Sequence, residues 1–234
     1  MKPKRILLKL SGETLSGESG PLDAASLALV ASEIKDAASN AAIAVVVGGG
    51  NIWRGGRQTA IERAAADYIG MYATVVNALA VKEALAAVKV PSAVVSALSD
   101  GPSLEADSCD NVRGLLSGGK VVIFAGGTGR PFFTTDTAAA SRALEIGADL
   151  LVKATQVDGV YDSDPRKNPS AKKYENVTFD EAIAKRLGIM DAAAFALCRE
   201  GNLPVLVYDF ALRGGLSQIV AGKKIGTLVT ASPK

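Results

Sequence analysis

Lys9 stands inside an apolar run, Arg5-Ile6-Leu7-Leu8-Lys9-Leu10, and is followed at once by Ser11-Gly12. Lysine is seldom buried without a partner, so a cation at the end of a strand and beside a glycine turn asks for an anion. Two readings fit: a lysine that snorkels from the strand end, or one that holds a phosphate. Further glycine turns follow apolar runs at Gly48-Gly49-Gly50-Asn51, Gly126-Gly127-Thr128-Gly129 and Asp158-Gly159, and Lys153 closes the run DLLVK at 149–153. Glycines let backbone N–H groups approach a phosphate closely, and the N-terminus of a following helix adds a favourable dipole. A single such turn is only a turn. Several after successive strands are stronger, because parallel strands bring them to one edge, where open α/β sheets bind ligands.

The densest stretch is FAGGTGRPFFTTDT at 124–137, where Arg130 and the hydroxyls of Thr134, Thr135 and Thr137 surround Asp136 at an expected helix start. Capping accounts for one or two of these residues. It does not account for a glycine cluster, an arginine and two aromatics beside the cap, whereas a phosphate-and-sugar site does. No segment fits G-x-x-x-x-G-K-[ST] or G-x-G-x-x-G, which disfavours the nucleotide folds built on those loops.

The chain contains no histidine. That removes the commonest general base, every Ser-His-Asp arrangement and the usual zinc ligands. Any chemistry falls to Lys, Arg, Asp, Thr and backbone N–H groups. The net charge of +2 over 234 residues suggests neither a nucleic-acid scaffold nor a membrane-surface protein. Two cysteines, Cys109 and Cys198, do not make a disulfide framework and read as reduced thiols. No apolar run reads as long enough to span a bilayer and no signal peptide opens the chain, so a cytoplasmic protein is expected.

The elements that must position these residues read as strands at 5–10, 42–47, 92–97, 120–125, 149–153 and 204–208. Each is a near-continuous apolar run, the pattern of strands covered on both faces. Helical patterns lie between them at about 23–39, 58–88, 135–147, 179–201 and 213–221, and 154–176 reads as surface turns with a hairpin. Strand–helix alternation predicts an α/β sandwich with a mostly parallel central sheet. The region 61–88 is rich in small residues, which suits close helix packing or a subunit interface.

The segments KLSGE at 9–13, VGGGNIWRG at 47–55, AGGTGRPFFTTDTAA at 125–139 and VKATQVDGVYDSDP at 152–165 resemble, in order and over essentially the whole chain, the amino acid kinase superfamily and its bacterial uridylate kinase branch. The resemblance implies a three-layer α/β/α sandwich formed as one domain over 1–234, with the acceptor part mostly N-terminal and the ATP part mostly C-terminal. It implies phosphoryl transfer from ATP to UMP with Mg2+, and a homohexamer built from dimers.

Carried over by position, the resemblance gives Lys9, Leu10, Ser11, Gly12, Gly50 and Arg54 to the ATP phosphates, and Thr155, Tyr161 and Asp164 to adenine and ribose. Gly49, Asp67 and the run Thr128, Gly129, Arg130, Pro131, Phe132, Phe133, Thr134, Thr135 and Asp136 fall to UMP. Lys9 and Lys153 become the catalytic lysines, with Asp158 as the carboxylate that organises them. The early loop Gly17, Glu18, Ser19, Gly20, Pro21 and Leu22 matches a region linked to allosteric activation, though it is shorter here, and Arg130 replaces a common Asn.

Phosphoryl transfer needs positioning and charge neutralisation more than covalent chemistry. A phosphate acceptor whose second pKa is near ~6 is already mostly ionised at neutral pH, so the missing histidine is no obstacle. Mg2+ can be held by nucleotide phosphates and water without a dedicated protein metal site. The rival readings are a kinase for a carboxylate or carbamate, and a nucleotide-binding or storage protein without turnover.

Overall fold

The computed structural model describes residues 2–54, 60–98 and 103–232. In chain order the elements are β1 (Arg5–Leu10), α1 (Ala24–Ala38), β2 (Ala42–Val47), α2 (Arg63–Ala87), β3 (Ser92–Ser96), α3 (Cys109–Ser117), β4 (Val121–Ala125) and α4 (Thr135–Glu145). They continue with β5 (Leu150–Thr155), β6 (Val160–Tyr161), β7 (Lys173–Tyr174), β8 (Asn176–Thr178), α5 (Phe179–Ala184), α6 (Ala192–Glu200), β9 (Val205–Asp209), α7 (Gly215–Val220) and β10 (Thr227–Thr230). Eight strands form one sheet in the order β3-β4-β2-β1-β5-β9-β10-β8, parallel except where β10 runs against β9. The sheet has helices on both faces. Val30 and Ile34 of α1, Val81 and Leu85 of α2 and Ile219 of α7 pack on one face. Val112 of α3, Ala140 of α4, Phe179 of α5 and Phe195 of α6 pack on the other. This is the mostly parallel α/β sandwich expected from the apolar runs, in the three layers the resemblance implies.

The differences from the expected elements have local causes. The region 179–201 is two helices, because Arg186 adopts φ 53° and the chain turns through Gly188 before Asp191 caps a new helix. The sequence reading did not place α3, β8 and β10, which are only 9, 3 and 4 residues long. The expected hairpin is β6 paired with β7. Residues 58 and 59 of the expected second helix, and Gly55 of the VGGGNIWRG segment, lie outside the described residues. By length and composition α2 is apolar enough to cross a bilayer, which the sequence reading did not flag. Here its apolar side contributes Ala78, Val81 and Leu85 to the core between α1 and the sheet.

Parallel pairing sets the site. Starting from β3, the neighbours β4, β2, β1 and β5 all point their C-termini the same way. The turns after β1, β2, β4 and β5 therefore meet at one edge. β1 is the switch point: the chain first adds β2 on one side of it and later β5 on the other, which opens a crevice above β1.

Gly226, which leads into β10, has φ 72°, and a Cβ there would drive into the Val207 carbonyl and approach Tyr208 Cβ to 3.1 Å. Gly226→Ala is expected to cost about 2 kcal/mol and to lower Tm by roughly 4–8 °C. Thermal unfolding by circular dichroism measures it; an unchanged Tm would mean that this turn carries no such constraint.

Candidate active site

Lys9 and Lys153 are direct Cα partners on the neighbouring strands β1 and β5. Each lies two residues on from Leu7 or Leu151 and so shares their face, the α4–α6 side of the core. Two like charges in register repel, and both are largely shielded from solvent. Asp136 resolves the conflict. Its carboxylate reaches Lys9 Nζ at 2.8 Å through one oxygen and Lys153 Nζ at 2.6 Å through the other. Burial opposes ionisation of Asp136, but the two lysines outweigh it and hold its pKa below the usual carboxylate value. Burial pushes the Lys153 pKa down and the nearby Lys9 charge adds to this, while Asp136 works against it. Lys153 also donates to the carbonyl of Ile189, in the break between α5 and α6.

Asp136 is in place because α4 begins on this face. Thr134 caps α4, its hydroxyl accepting from the N–H groups of Asp136 at 3.0 Å and Thr137 at 3.2 Å. Asp191, the cap of α6, accepts from the hydroxyls of Thr134 and Thr137 and so ties the two helix starts together. Burial raises the Asp191 pKa, but these hydroxyl bonds and the Ala194 N–H outweigh it and leave it lowered.

Asp158 is a correction. The resemblance made it the organiser of the lysines, but it lies beyond the β5 turn and bonds Lys173 at 2.8 Å and the Tyr161 hydroxyl at 2.6 Å. Lys173 first and Tyr161 second hold its pKa down. The β6–β7 hairpin explains the placement, since it brings Lys173 back beside Asp158. The carboxylate between the two lysines is Asp136, which the sequence reading had assigned to UMP.

Two cavities open at this edge. A cleft of about 620 Å³ has Lys9, Ser11 and Lys153 at one end and Thr155, Tyr161 and Asp164 further along, within the size range of small-molecule sites. Leu187, Gly188 and Ile189 line it too, placed there by the break between α5 and α6. A smaller pocket of about 140 Å³ lies between α2 and the glycine turns, lined by Gly49, Gly50, Asp67, Arg130, Phe133, Thr134 and Thr135, among others. Pro131, Phe132 and Phe133 continue the rim, with Phe132 and Phe133 exposed. Thr128 closes its own turn by donating to Arg130 O at 3.1 Å, and Gly129, at φ 72°, could not carry a side chain without meeting Ala97 O. Leu10 is buried in the core and can offer only its backbone.

Two expected ligands already have protein partners. Asp67 accepts from Arg63 Nε at 2.8 Å and from the Phe132 N–H at 2.9 Å, Phe132 being left-handed at φ 71°. Arg54 donates to Gly50 O at 3.0 Å and pairs with Glu13. The early loop lies beside the turns: Gly17 and Gly20 form a bridge and Pro21 O accepts from Asn51 Nδ2 at 2.7 Å.

The sequence reading missed Trp53, Thr74, Asn77 and Asp191. Trp53 lines the small pocket and donates to Ala66 O at 2.9 Å. Thr74 accepts from the Gly126 N–H at 2.8 Å. Thr74 and Asn77 recur at helical spacing from Asp67 and Gly70 within an otherwise apolar helix, a signal that could have marked them.

A match to the amino acid kinase family model runs over residues 4–209, and the chain belongs to the amino acid kinase family. Among solved structures it is similar to a UMP kinase from Bacillus anthracis, with 33% identity, TM-score 0.96 and coverage of 100% of this chain and 98% of the other. It is also similar to a UMP kinase from Ureaplasma parvum, at 36% identity and TM-score 0.92, covering 98% of this chain and 100% of that one. A uridylate kinase from Archaeoglobus fulgidus matches at 28% identity and TM-score 0.75, covering 98% and 100%.

Removing the Asp136 charge leaves two facing ammonium groups unpaired. Asp136→Asn is expected to push the Lys153 pKa further down, whereas Asp158→Asn leaves it unchanged. The pH dependence of lysine modification by an amine-specific reagent, followed by peptide mass spectrometry, checks both. Equal effects of the two variants would contradict the pairing.

Proposed function

We propose that this protein is a UMP kinase that transfers the γ-phosphoryl group of ATP to UMP, giving UDP. The observation that carries the reading is the pair Lys9 and Lys153, held in register by one carboxylate where the glycine turns meet. The similarity to UMP kinases over essentially the full length of both chains selects the acceptor. ATP occupies the larger cleft, with its phosphates toward Lys9, Ser11 and Gly12 and its adenosine toward Thr155, Tyr161 and Asp164. UMP occupies the smaller pocket, its phosphate near Gly49 and its ribose at Asp67. That pocket is small for a nucleotide, so UMP must draw Asp67 from Phe132 and Arg63. The N-terminal half thus serves the acceptor and the C-terminal half the donor.

The lysines neutralise charge on the phosphoryl group as it moves, and Asp136 sets their positions rather than accepting a proton. The UMP phosphate attacks as its own dianion. Mg2+ fits a binding mode dominated by phosphate oxygens and water. The central carboxylate is already neutralised by two lysines, and no cluster of three potential ligands occurs among the described residues. Mg2+ would supply further charge neutralisation on the phosphates. The protein acts in pyrimidine nucleotide synthesis in the cytoplasm, and the early loop 17–22 is a candidate regulatory segment.

A coupled assay for ADP release with and without UMP tests the reading, and UMP-independent release would defeat it. With saturating ATP and Mg2+, kcat/KM for UMP should rise as pH increases through about 6, the second phosphate pKa. It should then plateau and fall on the alkaline side as Lys153 loses its proton below its ordinary value of 10.5. An acidic limb that does not move with the acceptor's own phosphate pKa would point to a protein base instead.

Helix α2 turns Tyr68, Tyr72 and Val76 outward at i, i+4 and i+8, with Ile69 beside them, all exposed. A contiguous apolar stripe of this kind marks an association surface. We assign it to a homodimer contact within a hexamer. Light scattering should give a hexamer mass at micromolar concentration and a smaller mass for Tyr72→Arg; a monomeric wild type would contradict the assignment.

A further inference from the structure

Asn77 is fully buried in the middle of α2, between the buried Thr74 and the apolar Ala78 and Val81. Burying a primary amide is costly unless its donors and its acceptor are all used. Here they are. Asn77 Nδ2 donates to Gly48 O at 2.7 Å and to Asn51 Oδ1 at 2.7 Å, and Asn77 Oδ1 accepts from Asn51 Nδ2 at 3.1 Å. Asn51 is satisfied in turn, its second amide hydrogen going to Pro21 O at 2.7 Å. The two amides face each other reciprocally, an arrangement that neither Asp nor Ser reproduces, since Asp cannot donate and Ser carries a single hydrogen.

The clasp adds to the backbone bonds of this turn, in which the Gly48 N–H donates to Leu10 O at 2.9 Å and Gly49 O accepts from the N–H groups of Ile52 and Trp53, and it is Asn77 that holds Gly48 O. Gly48, Gly49 and Gly50 have no side chains, and glycine peptides rotate between conformations at little cost. The Gly48–Gly49 peptide is planar and trans, so its C=O and N–H point in opposite directions. Fixing Gly48 O on Asn77 therefore fixes the Gly49 N–H pointing away from Asn77. Asn51 Oδ1 also lies against Gly12, where a Cβ would come within 2.7 Å of Gly48 O and still closer to Asn51. One pair of amides thus sets the turn after β2 and its fit against the turn after β1.

We infer that Asn51 and Asn77 are a positioning pair that locks the Gly48–Gly49 peptide in the orientation needed to present its N–H to a nucleotide phosphate. Neither side chain needs to touch the substrate. The inference rests on the nucleotide kinase reading of this site.

The test is a double-mutant cycle of Asn51→Ala, Asn77→Ala and the double variant, with Val81→Ala as a control for a core defect in the same helix. Each asparagine variant should lower kcat by at least about tenfold, a loss of about 1.4 kcal/mol in transition-state stabilisation. Because the same pair fits this turn against Gly12, which is assigned to the ATP phosphates, each should also weaken binding of a non-hydrolysable ATP analogue in calorimetry. The double variant should be no worse than the poorer single, because either loss frees the same peptide. Val81→Ala should lose stability but keep kcat within about twofold. Additive losses, or asparagine variants that lose only Tm, would overturn the proposal. If Asn77→Ala does not fold, Asn51→Ala, at a half-buried position, decides between the two outcomes through kcat and analogue binding. A wild type that binds the analogue but does not phosphorylate UMP would defeat the acceptor assignment and leave the calorimetric test of the clasp intact. Trp53 is the sole tryptophan and lines the acceptor pocket, so its fluorescence reports on UMP binding separately.

Discussion

Two ammonium groups on adjacent strands, in register and shielded from water, cannot share a face without a carboxylate between them. Leaving a buried charge without its partner costs about 3–5 kcal/mol, a large part of the margin by which a domain is stable. Much of this half of the structure follows from that constraint. Asp136 must reach both lysines, so α4 must begin on that face. Thr134 fixes the start of α4, and Asp191 fixes Thr134 by spanning to the start of α6. The chain must then break between α5 and α6, and the break lends the Ile189 carbonyl to Lys153 and its flanking residues to the cleft wall. In the proposed reaction the triad that stabilises the fold would also supply the charges a phosphoryl group needs, because an incoming phosphate can take over the anionic side of the pairing.

Helix α2 is the second organiser. One side carries Asp67, Thr74 and Asn77, which bond to the turns after β4 and β2. Another side carries Tyr68, Tyr72 and Val76, which no described residue covers. The helix therefore stands between the acceptor pocket and the surface on which association is proposed. The contacts at Asp67 differ in kind from those at Asn77. Asp67 lines the pocket wall, and its partners are an exposed arginine and an N–H in a strained loop, so the proposed exchange for ribose hydroxyls gives up bonds that water or the loop can replace. Asn77 has no access to water and no alternative partner. The proposed acceptor site thus combines a fixed floor with a rim that can be displaced.

The sequence by itself determined the layered architecture. Strands covered on both faces need near-continuous apolar runs, and β1, β2, β3, β4, β5 and β9 all have them. It also marked Lys9, Lys153 and the glycine turns, since a cation in an apolar run and a cluster of glycines are anomalies in one dimension. What it could not give was the partner of each charge. Asp158 and Asp136 are both acidic residues beside glycine- or threonine-rich turns, and nothing in their neighbours in the chain says which one faces the lysines. That was decided by strand register and by the face on which α4 lands, which are properties of the sheet as a whole. Asn51 and Asn77 were likewise undecided in sequence, because a reciprocal amide pair exists only once a helix is packed against a loop 26 residues earlier. Local pattern records what an element must bury, whereas the pairing of buried polar groups is settled only when two elements meet.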